Sequence, residues 1–106
     1  PLADLGEVRS VASNIGRMTA AAAQVRALET LARQRLTDAQ SLQEIAHLFP
    51  RARSLEVQRA IAGILIRSDT RQLARAELAR SLRQHRLKSP DGNDVIDMLI
   101  RLLQQA

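Results

Sequence analysis

Arg75, Arg80, Arg83 and Arg86 are spaced so that, on a helix, they sweep one arc beside an apolar face, answered only by Glu77. A guanidinium is a permanent cation with planar, forked donors, so such an arc suits phosphate or carboxylate groups. Arg51 and Arg53 lie in a connecting stretch further back, and they enlarge the arc to a basic patch if the two surfaces adjoin. Phosphate contacts from such a patch would suffice for a duplex. Base stacking has no support, because the one aromatic residue, Phe49, falls on an apolar stripe. The net charge is +5, yet fifteen arginines stand against a single lysine, Lys88. That ratio fits a GC-rich coding sequence, so the high pI is partly a compositional habit. A solvated basic face or a contact with an acidic protein is therefore the favoured reading, with nucleic acid second.

The other reactive side chains do not assemble a catalytic set. His47 falls on the polar side of its stretch. His85 falls toward Leu78 and Leu82, where a partly buried histidine interacting with the end of its helix is expected. Neither has a carboxylate beside it in sequence. Asp91, Asp94 and Asp97 are the one close acidic cluster, and their position at the start of a helix reads as capping. They lack the twelve-residue loop and terminal glutamate of an EF-hand. Gly6, Gly16, Gly63 and Gly92 are scattered singly, which removes a phosphate-cradling loop, and no Gly-x-Ser-x-Gly elbow occurs. With no cysteine there are no disulfides, thiolate metal sites or cysteine nucleophiles. Neither a catalytic residue, a metal nor a cofactor is expected.

The elements that must position these residues are helical. Leu, Ala, Ile and Val dominate, with three prolines and four glycines in 106 residues, the composition of packed helices. Leu55–Ile66, LEVQRAIAGILI, is apolar around most of its circumference. Val57, Ile61, Ile64 and Leu65 form one face, and Leu55, Ala62 and Ile66 carry it round, leaving a seam at Glu56, Arg59, Gly63 and Arg67. Such a helix must be covered on two sides, so it is expected at the centre. Around it the pattern predicts a helix opened by Asp4 and Glu7 and ended by Gly16. A second runs over Ala20–Leu36 behind Thr19, and a third over Asp38–Phe49 behind Thr37 and Gln40. Pro50 stops the third and Ser54 caps the central fourth. The fifth runs from a cap at Asp69 to about Leu87, with Ala74, Leu78 and Leu82 inward. After the Ser89–Gly92 turn, the sixth spans Val95–Gln105. No apolar run approaches the ~20 residues of a membrane span.

Sliding helices three and four onto five and six superposes Leu42 on Leu78, Val57 on Val95, Ile61 on Leu99 and Leu65 on Leu103, a loose period of helical-hairpin length. The run Leu55-Glu56-Val57-Gln58-Arg59-Ala60-Ile61-Ala62-Gly63-Ile64-Leu65 resembles the second helix of a HEAT or armadillo-type repeat, and Glu7-Val8-Arg9-Ser10-Val11-Ala12 echoes it. The resemblance implies an α-α superhelix of three antiparallel hairpins that serves as a protein-binding scaffold.

The expectation is thus a single all-α domain over residues 1–106. Its opening Pro1 suggests a piece of a longer protein. It is read as a non-catalytic module for another protein or domain. A nucleic-acid-binding domain using Arg75, Arg80, Arg83 and Arg86 is the alternative, and an accessory domain of an enzyme whose catalytic part lies elsewhere is a third. Helix six shows a wide apolar arc and a narrow polar seam. Ile96 and Ile100 are accordingly expected to form a docking patch for another domain or a second copy, whereas helix one, with Glu7, Arg9, Ser10, Ser13 and Asn14 outward, can serve as a polar cap.

Overall fold

The computed structural model describes residues 5–33, 39–89 and 94–105. These form six α-helices: α1 (Leu5–Arg17), α2 (Ala21–Ala32), α3 (Ala39–Ala46), α4 (Leu55–Ile66), α5 (Arg75–His85) and α6 (Val95–Leu103). A 3-10 turn, Phe49–Arg51, lies between α3 and α4. No strand occurs among the described residues, so the chain is all-α as its composition and periodicity require.

Helix α4 is the centre. It packs most extensively on α6 and α2, and also against α3 and the 3-10 turn. Val57, Ile61, Ala62, Ile64 and Leu65 are buried on it, while Leu55 and Ile66 are half-buried, which is the two-sided burial its sequence demands. Helices α2, α4 and α6 follow one another in contact. On the other side α1 packs on α3, and the 3-10 turn packs on α5. The contacts α1 with α2, α3 with α4 and α5 with α6 join the two sides. The Cα envelope measures 31 × 30 × 19 Å, and the short dimension suits two helix layers at a spacing of about 8–10 Å. The core runs through both, from Val8 and Ile15 of α1 to Leu99 and Leu103 of α6.

Local chemistry sets the helix ends. Ser54 caps α4, its hydroxyl accepting the Val57 N–H at 3.2 Å. Pro50 falls in the 3-10 turn, so α3 stops at Ala46 and Phe49 drops fully buried into the core. Helix α1 runs through Gly16 to Arg17 rather than ending at the glycine. At α2 the N-cap is Ala20, not Thr19, and no side chain caps it. Gln24 instead turns back and donates to the carbonyls of Ile15 and Met18 at 2.9 and 3.1 Å, closing the end of α1. Asp69 does not open α5. Its carboxylate accepts the Arg71 N–H and pairs with the Arg71 guanidinium, which holds its pKa down to about 2, so a separate turn precedes a helix that starts at Arg75. Ala74 is consequently exposed, and Ala79 joins Leu82 on the buried face. The expected caps Asp4 and Thr37, with Leu36 and the Pro90–Gly92 part of the turn, lie outside the described residues.

The docking patch expected on α6 is closed. Ile96 is fully buried and Ile100 is 8 % exposed, because α6 lies against α4 on one side and α5 on the other, covering both flanks of its apolar arc. Among the described residues the exposed large apolar side chain is Met98 instead. On α1, Glu7, Arg9, Ser10, Ser13 and Asn14 are all exposed, as a polar outer surface requires.

Truncating the centre tests this arrangement. Truncating Ile61, fully buried on α4, should cost about 2–5 kcal/mol as Ile61→Ala, measured by chemical denaturation. A loss below ~0.5 kcal/mol would be incompatible with a central α4.

Candidate functional site

The four arginines of the predicted arc do not act together. Arg75, half-buried, donates through Nη2 to the Leu102 carbonyl at 2.6 Å, so it closes the end of α6. Arg86 pairs with Asp97 through Nη1 and with Asp94 through Nη2, the latter at 3.1 Å. Its side chain is only 21 % exposed. Arg80 and Arg83 are exposed, and no hydrogen bond or ion pair engages them among the described residues. The arc divides by burial: two members fasten α5 to α6, and two face solvent.

Arg86 belongs to a polar junction among α4, α5 and α6. Asp94 caps α6, its Oδ1 accepting from the N–H groups of Ile96 and Asp97 at 3.0 and 3.2 Å, and Asp97 returns a bond to the Asp94 N–H in a capping box. The other Asp94 oxygen receives Arg86 and, from α4, Arg59 at 3.4 Å; Arg59 also donates to Ser89. Burial alone would push the Asp94 pKa up. The Asp97 N–H, the Arg86 charge, Arg59 and the Ile96 N–H together outweigh it and hold the carboxyl below its ordinary value. Asp94 and Asp97 of the acidic cluster thus serve as a cap, as their position in sequence suggests, while Asp91 lies outside the described residues. Gln58 completes the junction. It is fully buried on α4, donates to the His85 carbonyl and accepts the Leu87 N–H, both at 2.9 Å, and so grips the chain as it leaves α5.

His85 is exposed rather than partly buried, with Nδ1 3.0 Å from the Ser81 carbonyl one turn back; only the expected contact with its helix end is present. His47 is exposed. Among the described residues no group of three His, Asp or Glu side chains is placed to hold a metal ion, and no helix is long and apolar enough to cross a membrane.

Solvent-facing cations gather elsewhere. A cleft of about 560 Å³ opens between the end of α1 and the segment joining α3 to α4, with Arg17 on one side and Arg51 and Arg53 on the other. Its floor is apolar, formed by Ile15, Met18, Leu48, Ala52 and Val57. Two sequence features build it. Gln24 folds the chain back at Met18, so Arg17 ends α1 at the rim. Buried Phe49 anchors the 3-10 turn, so that Arg51 and Arg53 emerge on either side of half-buried Ala52. A second groove of about 300 Å³ shares Arg17, Leu48 and Arg51 with the cleft and adds Arg9, Glu44 and His47. Arg51 and Arg53 therefore adjoin Arg17, while Arg80 and Arg83 line neither groove. Sequence reasoning named the two loop arginines but missed Arg17, whose role depends on a packing of α1 on α3 that no local pattern announces.

The chain matches no protein-family model, no curated protein and no solved structure.

The junction makes stability acid-sensitive with a definite sign. A carboxyl whose folded pKa lies below the unfolded ~3.9 contributes stability that is fully present above that value and is lost as pH falls through the folded one. Asp94→Asn should lower the denaturation midpoint at neutral pH, and its deficit relative to wild type should shrink between about pH 5 and pH 2. Denaturation curves across that range check this; a deficit independent of pH would contradict it.

Proposed function

We propose that this chain is a non-catalytic helical module that binds another protein, built as a HEAT-like stack. The observation that carries the reading is the cleft at the end of α1, where Arg17, Arg51 and Arg53 stand over an apolar floor. Cations beside apolar surface complement a polypeptide, which offers both kinds of group; a nucleic-acid backbone offers phosphate without an apolar counterpart. The stack has support from the packing, in which chain-adjacent helices touch in pairs and α2, α4 and α6 follow one another in contact. A second copy of the chain is not favoured as partner, since Ile96 and Ile100 are buried and the molecule carries net positive charge.

The nucleic-acid alternative rests on what is left of the α5 arc. Arg75 and Arg86 are engaged within the fold, which leaves Arg80 and Arg83 as the unengaged members of the arc among the described residues, and Phe49 is fully buried and unable to stack on a base. Few phosphate contacts give weak binding and a shallow salt slope. Fluorescence anisotropy with a labelled DNA duplex should accordingly show weak, sequence-independent binding that fades by about 0.15 M salt. Submicromolar affinity at that salt, abolished by Arg80→Glu with Arg83→Glu, would overturn the protein-binding reading in favour of nucleic acid.

A further inference from the structure

We propose that the cleft between the end of α1 and the 3-10 turn receives an acidic polypeptide segment that presents one aliphatic side chain flanked by carboxylates. The inference rests on the protein-binding role and names its site and partner chemistry. Three arginines ring the opening: Arg17, Arg51 and Arg53. Arg51 and Arg53 are exposed, and no hydrogen bond or ion pair engages them or Arg17 among the described residues, so their guanidinium forks are available to carboxylates.

The floor dictates the aliphatic part. Ile15, Leu48 and Val57 are otherwise buried core residues whose edges reach this cleft. The carbonyls of Ile15 and Met18, which would repel a carboxylate from beneath, are already taken by the Gln24 amide. An apolar side chain therefore meets apolar surface at Ile15, Leu48 and Val57. The volume of about 560 Å³ lies within the range of ligand pockets, about 300–1,000 Å³, which suits one anchoring side chain and its neighbours rather than a long helix. The adjoining groove continues the positive rim to Arg9. That residue is paired with Glu44 at 3.3 Å on an exposed surface, and such a pair is worth about 0–1 kcal/mol, so a partner carboxylate can replace Glu44 at little cost.

A fluorescein-labelled dodecapeptide of alternating Asp and Glu with one central leucine is the probe. Anisotropy should report a dissociation constant of about 10–100 μM at low salt. Arg51→Glu with Arg53→Glu should weaken it by about tenfold or more, Arg17→Gln should weaken it about threefold, and exchanging the peptide leucine for serine should weaken it about threefold. Arg80→Glu with Arg83→Glu should change it less than about twofold. All three protein variants alter exposed side chains, so each should keep the wild-type melting temperature. Binding that survives at Arg51 and Arg53 but is lost at Arg80 and Arg83 would overturn the cleft while leaving a protein-binding α5 surface. Equal affinity for the serine peptide, with tripolyphosphate competing as strongly, would reduce the cleft to a plain anion site and overturn the proposal. No binding by folded protein at ~1 mM peptide would overturn it as well.

Discussion

Gln58 places a primary amide near the start of an apolar helix, and the junction of α4, α5 and α6 depends on it. A buried amide without partners is costly, about 1–3 kcal/mol for each group left unpaired. Here both ends are satisfied by backbone, the His85 carbonyl and the Leu87 N–H. The bond pair works in both directions: it lets α4 bury a polar side chain, and it fixes where the chain leaves α5. From that point the chain must bring Asp94 beneath Arg59 and Arg86, where the carboxylate caps α6. The apolar burial of Ile61, Leu65, Ile96 and Leu99 supplies the non-directional part of the packing, and the polar contacts choose its register.

The same division sorts the arginines. Three on the α4–α5–α6 side are bound into the fold, Arg75 on a helix-end carbonyl and Arg59 and Arg86 on one carboxylate, while Arg80 and Arg83 face open solvent. Arg17, Arg51 and Arg53, around the close of α1, face a cleft instead. A chain with fifteen arginines and one lysine looks uniformly basic in composition, yet the structure separates structural cations from available ones by what lies across from each. Net charge alone carries little functional information here. The juxtaposition of Arg17, Arg51 and Arg53 with Ile15, Leu48 and Val57 carries more, because it pairs two kinds of recognition in one concave place.

Much of the fold was legible from periodicity and punctuation. The all-round apolar pattern of LEVQRAIAGILI required a helix covered on two sides, and Ser54 and Pro50 marked its approach. What periodicity could not supply was the identity of the neighbours. The wide apolar arc of α6 is compatible with an exposed patch or with burial between two helices, and Ile96 and Ile100 proved to be buried. Asp69 has the residue type of a helix cap, but pairing with Arg71 two residues on diverts it into a turn. Gln58 escaped notice because a polar residue beside a polar seam carries no local sign of the two backbone groups waiting for it. The candidate site was legible only in part: the loop arginines stood out by composition, while Arg17 entered through the packing of α1 on α3.

Helix α4 organises its neighbours through the buried Gln58 amide. The Leu87 N–H reads this directly, because it lies outside any helix and has Gln58 Oε1 as its acceptor. Native-state hydrogen exchange followed by NMR at residue resolution is the measurement. The Leu87 amide should exchange as slowly as the Ile61 and Leu65 amides of α4, opening only with global unfolding. Exchange of Leu87 at the rate of an unstructured chain, with α4 still protected, would contradict it.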